Sequence, residues 1–341
     1  MKILLDAMGG DNAPVEIIKG AFKGIQNLNS DTEVILLGKE DVIKEKIKEL
    51  YNKNLEEITN RISIKHASEV ISNNDAPTDA IKNKKDSSMC VGFEMLKNGE
   101  GDVLVSAGST GALMAGGLLK VGRIKGIDRP ALCPSLPTID GKGFLLLDAG
   151  ANTNCKPINY HQFAKMGSIF LEKAYGIDKP KVGLLNIGAE EEKGTPTIKE
   201  AFALIKEDKD INFYGNIEAR YMFDGDVGVV VTDGFTGNIA LKTCEGIGLT
   251  IGKMLKEELT RGFARKIGAG ILKATGAIDA FKKRIDYSEY GGAILLGIEK
   301  PIIKCHGSGK EKDVAIVLKQ AEKFVNGKVV EAIKESLLSK E

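Results

Sequence analysis

Residues 1–28 read MKILLDAMGGDNAPVEIIKGAFKGIQNL and predict, in order, a strand, a glycine loop and a helix. The apolar run Ile3–Leu5 stops at Asp6, and the two adjacent glycines that follow allow a tight turn. Pro14 suits the first turn of a helix, and apolar residues at spacings of three and four predict that this helix covers 14–28. A strand that leads through a glycine loop into a helix is the repeating unit of α/β proteins.

The rest of the chain repeats this alternation of short apolar runs and longer segments of helical period. The pattern predicts an α/β fold with a mainly parallel sheet that helices cover on both faces. Two segments depart from it: the apolar runs around 139–143 predict a β-hairpin insertion within 130–148, and 239–285 is a long helical region. No repeat or low-complexity linker divides the chain, so we expect one domain over residues 1–341. The predicted strands are 2–6, 33–37, 61–66, 102–106, 143–148, 181–187, 227–232 and 301–305.

Composition and charge are those of an ordinary globular protein. The 341 residues are 43% hydrophobic, and 48 basic and 47 acidic side chains leave a net charge of +1. No global field attracts nucleic acid, which is therefore not an expected partner. Five widely spaced cysteines without a C-x-x-C pair, and only three histidines, do not form a zinc-finger site, so no metal is predicted. Free thiols and the lack of a secretory signal predict a cytoplasmic protein.

Nucleotide-binding fingerprints do not occur in the glycine loops. Every Gly-Lys pair lacks the Ser or Thr that follows it in a P-loop, and no G-x-G-x-x-G is present. A dinucleotide-dependent or P-loop enzyme is therefore disfavoured, and we expect no cofactor.

Several predicted strands end in glycine-rich turns that carry small hydroxyl or amide side chains. Because the carboxyl ends of parallel strands lie along one sheet edge, we expect these loops to converge on one crevice. Glycine lets the backbone approach a ligand and helix N-termini favour anions, which predicts phosphate or a similar oxyanion. The alternative is that the loops only turn the chain and cap helices, and capping is favoured for Asp11 and Asn12. The loops are DAMGGDNAP (6–14), SAGSTGA (106–112), DAGANTN (148–154), NIGAEEEKG (186–194), TDGFTGN (232–238) and HGSGK (306–310), with Gly108, Ser109, Thr110, Gly111, Asn152, Asp233 and His306 as candidate phosphate or substrate contacts.

The loop around Ser109 also resembles the nucleophile elbow of a serine hydrolase. The segment 107–111 differs from G-x-S-x-G only at its first position, and Asp148 or Asp233 followed by His306 would complete the chain order of a triad. The pairing with His306 rests on chain order alone, and the first glycine is replaced by alanine. A phosphate-cradling loop needs fewer coincidences.

Lys193 and Asn238 are the residues in these loops best suited to anionic chemistry. Lys193 follows three glutamates and precedes Gly-Thr-Pro, so it is either a solvated loop residue or a point charge that holds an anionic reactant. Asn238 either donates an amide N–H to a developing oxyanion or caps a helix.

The segment 259–278, LTRGFARKIGAGILKATGAI, contains four basic residues and no acid. Phe263, Ile267 and Ile271 recur every four residues, which places an apolar stripe beside a basic face if the segment is helical. Core or dimer interface is the usual role of such a stripe, but the local cationic excess also fits a surface helix that docks on anionic lipid.

The loops DAMGGDNAP, SAGSTGA, LDAGAN, NIGAEEEKGT and TDGFTGN, together with QFAKMGS at 162–168, closely resemble the PlsX family of bacterial phosphate acyltransferases. The resemblance covers nearly the whole chain. It implies a three-layer α/β/α sandwich, akin to the isocitrate and isopropylmalate dehydrogenases and to phosphotransacetylase, and a homodimer. Two departures from the family pattern are His161, where an aliphatic residue is expected, and Gly309, where serine is more usual.

The resemblance also implies a reaction and its residues. An acyl group passes from acyl-acyl-carrier-protein to inorganic phosphate, and the acyl phosphate serves a membrane glycerol-3-phosphate acyltransferase in phosphatidic acid and phospholipid synthesis. The catalytic residues of the family fall on Lys193 and Asn238. A helical hairpin extension, roughly 245–285, would contact an anionic membrane peripherally, with Phe263, Ile267, Gly268 and Ile271 at membrane-facing positions, and its basic residues could also meet the acidic carrier protein.

Two other functions remain open at this point. A phosphotransacetylase that uses acyl-CoA belongs to the same reaction class. A non-catalytic, membrane-associated scaffold of lipid synthesis belongs to another class and would not release free carrier thiol.

Overall fold

The computed structural model describes residues 1–285 and 291–338. The chain forms two compact units, of which the first comprises Met1–Pro134, Lys165–Pro180 and Gly291–Glu341 and the second comprises Ser135–Ala164 and Lys181–Tyr290. The single domain expected over 1–341 stays a prediction. The described strands are β1 Lys2–Asp6, β2 Glu33–Gly38, β3 Ile62–His66, β4 Val103–Ser106, β5 Ala131–Cys133, β6 Ser135–Leu136, β7 Phe144–Leu147, β8 Val182–Asn186, β9 Phe213–Glu218, β10 Val229–Val231, β11 Ala293–Leu296 and β12 Ile302–Lys304.

Helices alternate with these strands through most of the chain. The helix Thr110–Gly116 continues into a π-helical turn, Gly117–Val121, and a short 3₁₀ turn covers Ala219–Tyr221. The helices are α1 Val15–Ile25, α2 Glu40–Tyr51, α3 Leu55–Ile58, α4 Pro77–Asn83, α5 Ser88–Lys97, α6 Thr110–Gly116, α7 Pro157–Tyr175, α8 Pro196–Glu207, α9 Gly234–Thr260, α10 Phe263–Ala274, α11 Ala277–Ile285, α12 Glu311–Asn326 and α13 Val329–Leu338.

The first unit is built on a seven-stranded sheet of order β3-β2-β1-β4-β12-β11-β5. Its pairs are parallel except that β11 runs antiparallel to both β12 and β5. Leu4, Leu37 and Leu104 pack in one buried cluster with α5. Strand alternation turns their buried neighbours Ile3 and Leu5 to the opposite face, so both faces of the sheet are covered.

The helices α1 and α12 of the first unit pack in unusually close contact. A Cβ added at Gly20 would lie 2.4 Å from Cβ of Val314, and one added at Gly24 would lie 2.7 Å from Cδ1 of Leu318. A buried carboxylate secures the far end of α12, because Glu322 accepts hydrogen bonds from the Asn29 backbone and the Thr32 hydroxyl.

The second unit is built on a five-stranded sheet of order β6-β7-β10-β8-β9. The strands β7, β10, β8 and β9 are parallel, and β6 is antiparallel to β7. Phe144, Leu146, Leu185 and Val230 belong to its buried core. His161, the departure noted above, bonds the buried Asp208 carboxylate through Nε2 at 2.7 Å and so ties α7 to the end of α8.

The eight predicted strands are all present, β6 was expected only as part of the hairpin, and β5, β9 and β11 were not predicted as strands. The predicted hairpin is correct only for β6 and β7, which pair across the turn, since β5 joins β11 in the first unit. Pro14 lies just before α1 rather than inside its first turn. Capping by Asn12 was the wrong expectation, because its side-chain amide donates to the Ser308 carbonyl at 3.0 Å.

Candidate active site

Three glycine loops meet at one edge of the first unit's sheet. The neighbouring strands β1, β4 and β12 are parallel, so their carboxyl ends lie together and are followed by the loops 7–14, 107–109 and 305–310. The Asp11 N–H donates to the Gly307 carbonyl at 2.8 Å. The sheet edge therefore brings the first, second and sixth predicted loops together, as the parallel topology requires.

Glycine is required where the first two loops touch. A Cβ at Gly9 would lie 2.7 Å from the backbone nitrogen of Gly108, closer than real Cβ contacts. Below this contact the buried Asp6 carboxylate accepts from the Ser106 hydroxyl at 2.7 Å and from the Met8 N–H at 3.1 Å. Ser106 Oγ in turn accepts from the Gly108 N–H at 3.0 Å. These contacts fix the backbone that leads into α6.

The candidate contacts of the first unit have defined places around the start of α6. Ser109 caps the helix by accepting from the Ala112 N–H at 3.4 Å, and Thr110 is its first residue. The backbone N–H groups at this N-terminus of α6 favour an anion. Gly111 packs against Pro77, since an added Cβ would lie 2.7 Å from its Cγ. This use of the Ser109 hydroxyl does not support the hydrolase alternative.

The loop that closes this edge departs from the family pattern at Gly309. His306 Nδ1 lies 2.9 Å from the Ser308 hydroxyl. A Cβ at Gly309 would lie 2.9 Å from the His306 carbonyl oxygen, so serine does not fit this backbone without a shift. The loop conformation thus accounts for glycine where serine was expected.

In the second unit the loops after β7 and β10 form one hydrogen-bonded structure. The buried Asp148 carboxylate accepts from the backbone N–H groups of Gly150, Ala151 and Asn152, the last at 2.6 Å, and from the Asn152 side-chain amide at 2.9 Å. The Gly234 N–H donates to the Asn152 carbonyl at 2.7 Å. Asp148 therefore organises its own loop, and the Asn152 amide is engaged inside that loop.

Asp233 is the N-cap of α9. Its carboxylate accepts from the Thr236 N–H at 2.8 Å and from the Tyr160 hydroxyl at 3.2 Å. Burial, reinforced by the Asp233 charge, raises the pKa of Tyr160 far above its ordinary value, so the phenol stays a hydrogen-bond donor. With Asp233 in the cap position, Asn238 is free of that alternative role.

Asn238 is exposed near the start of α9, as its fifth residue, beside the β7 loop. Gly150 has φ of +135°, and a Cβ there would lie 3.6 Å from Asn238 Cγ. The backbone of Gly237 touches the strand end, because its added Cβ would lie 1.9 Å from the Asp148 carbonyl oxygen. A side-chain amide donor is therefore held at the carboxyl edge of β7 and β10.

Lys193 follows β8, the neighbour of β10, at the same sheet edge. Its side chain is exposed, and its stem runs past Gly188, where an added Cβ would lie 3.1 Å from Lys193 Cγ. Thr195 then caps α8 by accepting from the Ile198 N–H. The edge carries a cation, an amide donor and two helix N-termini, a set suited to binding an anion and a developing oxyanion.

Sequence reasoning did not identify the residues that shape these loops. Asp148 was considered only as a triad acid, and Tyr160, Asn186 and Asn216 were not considered. Asn186 stands where the apolar run of β8 ends, which was the available signal. Among the described residues, no cluster of three or more His, Cys, Asp or Glu side chains is arranged to hold a metal ion.

The helical extension is real and presents apolar side chains to solvent. Phe263, Ile267 and Ile271 are 82%, 51% and 61% exposed on α10, and Gly268 lies exposed between them. Arg265 of α10 forms an ion pair with Glu258 of α9. The basic charge of the segment 259–278 is therefore partly neutralised by an acid that precedes the segment. Within 1–285 and 291–338, no helix combines the length and apolarity needed to span a bilayer.

Comparison with known proteins identifies the family. Relatives include a phosphate acyltransferase of Thermoanaerobacter pseudethanolicus, 50% identical over 339 residues that cover 99% of this chain and 98% of the relative. Another, from Bacillus cereus strain B4264, is 46% identical over 341 residues, covering 100% and 99%. A phosphotransacetylase from Streptococcus pyogenes has the same fold, with a TM-score of 0.61 at 15% identity over 97% of this chain and 94% of that one. So does a branched-chain phosphotransacylase from Enterococcus faecalis, with 0.58 at 17% over 95% and 99%.

These likenesses confirm both the predicted α/β class and the predicted resemblance. The model of the family described as fatty acid synthesis protein matches residues 1–332. The chain therefore belongs to the fatty acid synthesis protein family, the PlsX family of acyltransferases.

Proposed function

We propose that this chain transfers a fatty acyl group from acyl-acyl-carrier-protein to inorganic phosphate, giving acyl phosphate and free carrier protein. The observation that carries the proposal is the sheet edge of the second unit, where Lys193 and Asn238 follow the adjacent strands β8 and β10. The names of the relatives support phosphate as the acceptor.

The chemistry asks little of the protein beyond positioning and charge stabilisation. With a second pKa of about 6 to 7, much of the phosphate is already a dianion at neutral pH and needs no general base. A phosphate oxygen bonds to the thioester carbonyl carbon, and the C–S bond breaks as its electron pair leaves with sulfur. The resulting thiolate, whose parent pKa is about 8.5, then takes a proton from solvent.

Lys193 and Asn238 divide the two remaining tasks. The Lys193 ammonium compensates the phosphate charge, and the Asn238 amide donates to the carbonyl oxygen as it becomes negative. A single oxyanion donor of this type accounts for roughly 10²- to 10³-fold in kcat, which is about 3 to 4 kcal/mol. The backbone N–H groups at the start of α9 lie near Asn238, and the positive end of the helix dipole further stabilises the negative carbonyl oxygen.

The partners follow from the same proposal. We infer that the protein acts as a homodimer in the cytoplasm and docks peripherally on anionic membranes, delivering acyl phosphate to a membrane glycerol-3-phosphate acyltransferase for phosphatidic acid and phospholipid synthesis. The exposed Phe263, Ile267 and Ile271, with Lys266 and Lys273 on the same helix, support the membrane contact.

A comparison of acyl donors tests the proposal. With palmitoyl-acyl-carrier-protein and phosphate, mass spectrometry should detect palmitoyl phosphate together with free carrier thiol. A clear preference for palmitoyl-CoA would identify the phosphotransacetylase alternative instead. No phosphate-dependent release of thiol from either donor would favour the scaffold.

A further inference from the structure

Two asparagine side chains hold the loop that carries Lys193, one near its end and one at its middle. Asn186, the last residue of β8, donates through Nδ2 to the Lys193 carbonyl at 3.1 Å, while its Oδ1 accepts from the Ile187 N–H at 2.8 Å. Asn216 of β9 donates through Nδ2 to the Glu190 carbonyl at 2.8 Å. That same carbonyl accepts from the Lys193 N–H at 3.2 Å. The two amides thus hold the carbonyl of the first glutamate, Glu190, and the carbonyl of Lys193 itself.

Asn216 is aimed at the loop by an irregularity in its strand. Val182 pairs with Phe213, but Gly183 pairs with Gly215, so Tyr214 is an extra residue in β9. Such a β-bulge shifts the register of every later residue and re-aims its side chain, and bulges are common next to active sites. After the bulge, Asn216 lies opposite Leu184 of β8, level with the strand that leads into the loop.

Burial makes the Asn216 contact expensive to maintain. The residue is 5% exposed, and its Oδ1 has no hydrogen-bond partner among the described residues. A buried polar atom without a partner costs free energy that an apolar residue at this position would avoid. The amide therefore contributes its Nδ2 donor to Glu190 at a cost to stability.

The backbone at Gly194 passes so close to the Asn186 side chain that only glycine fits there. Gly194 has φ of +92°, and a Cβ there would lie 2.8 Å from Asn186 Oδ1. The backbone of Lys193 is thus held by the bonded carbonyls of Glu190 and of Lys193 itself and by Gly194, while its side chain stays exposed. By contrast, the contact between Glu191 of the loop and Lys206 is an exposed ion pair of the kind that contributes little to stability.

We propose that Asn186 and Asn216 are positioning residues, which hold the backbone of the 187–194 loop so that the Lys193 ammonium meets the phosphate. The inference rests on the proposed function of Lys193. Neither asparagine touches substrate. Losing either amide lets Lys193 leave its place, and because a misplacement of about 1 Å costs up to 10²-fold in rate, kcat should fall about tenfold or more.

The first test is a double-mutant comparison of acyl phosphate formation. Asn216→Ala and Asn186→Ala should each lower kcat about tenfold or more, with a smaller change in KM for the acyl donor. In the Lys193→Ala background the same changes should have no further effect on the residual rate, because residues that act through Lys193 are not additive with it. Equal losses in both backgrounds would overturn the inference.

The second test is independent of catalysis. Trypsin cuts after Lys193, so cleavage at Lys193–Gly194 reports how often the loop opens; it should be at least tenfold faster in both variants. Lys206→Ala, which removes an exposed contact to the same loop, is the matched control and should stay within about twofold of wild type. Unchanged cleavage in folded Asn186→Ala would overturn the inference. A wild-type protein without acyl phosphate activity would refute the proposed function while leaving this cleavage test intact.

Discussion

Replacing Gly237 by alanine should push the first turn of α9 away from the end of β7. The added Cβ would lie 1.9 Å from the Asp148 carbonyl oxygen, whereas real Cβ atoms essentially never approach closer than 3.0 Å. The Asp148 peptide cannot yield, because its N–H donates to the Thr232 carbonyl at 2.9 Å and its carboxylate is bonded throughout its own loop. The helix must therefore move by about 1 Å, and it carries Asn238 with it.

The magnitude follows from two opposing terms and from the displacement. Overpacking against a fixed backbone atom costs about 1–3 kcal/mol, and a gain of about 1 kcal/mol in helix propensity offsets part of it. We expect Gly237→Ala to lose up to about 2 kcal/mol of stability. A shift of about 1 Å at Asn238 should lower kcat for acyl phosphate formation by about 10²-fold.

Gly246→Ala on the same helix is the control. A Cβ at Gly246 meets nothing within 4 Å, so alanine there should raise stability by about 0.5–1 kcal/mol and leave kcat unchanged. Thermal unfolding and acyl phosphate formation are measured on both proteins. Wild-type stability and rate in Gly237→Ala would refute the geometry of this helix start and the role assigned to Asn238.

Three further predictions concern stability, membrane contact and Ser109. Burial alone would raise the pKa of Glu322, but hydrogen bonds from Lys319, the Asn29 backbone and Thr32 outweigh it and lower that pKa below the ordinary 4.5. The carboxylate therefore stabilises the fold above pH 4.5 and loses this contribution as pH falls through the lowered native pKa. Glu322→Gln should lower the free energy of unfolding by about 2–3 kcal/mol at pH 7. Denaturant titrations should show that this difference shrinks below pH 4.5. Phe263→Glu/Ile271→Glu should abolish co-sedimentation with anionic liposomes while acyl phosphate formation in solution persists, and equal binding would return α10 to a core or interface role. Ser109→Ala should cost about 1 kcal/mol through loss of the α6 cap and less than tenfold in rate, whereas complete inactivation with fluorophosphonate labelling of the wild type would revive the hydrolase alternative.

Apart from β3, the strands that sequence reasoning found consist mostly of buried side chains. Leu4, Leu104 and Leu146 lie in continuous apolar runs because helices cover both faces of their sheets. The strand β9 was not predicted because FYGNIE contains a glycine, a bulge at Tyr214 and polar residues. The strand β5 was not predicted because its partner β11 lies about 160 residues later in the chain. Pairing of this kind depends on the whole fold and leaves no local pattern.

The same distinction holds at the candidate site. Lys193 and Asn238 stand in recognisable glycine loops, so the sequence identified them as candidates. Asn216 was not predicted because its importance lies in one hydrogen bond to a loop that another strand carries. Asn12 was assigned to a cap because only the fold shows the Ser308 carbonyl that its amide meets. Residues that support a site through tertiary hydrogen bonds are thus the ones that a single sequence conceals.

The most direct test of the central claim is acyl phosphate formation from palmitoyl-acyl-carrier-protein and phosphate by wild type, Lys193→Ala and Asn238→Ala. Both positions are exposed, so both variants should unfold at the wild-type temperature within error. We predict palmitoyl phosphate from the wild type and a loss of about 10²-fold or more in each variant. Near wild-type turnover in both folded variants would contradict the account.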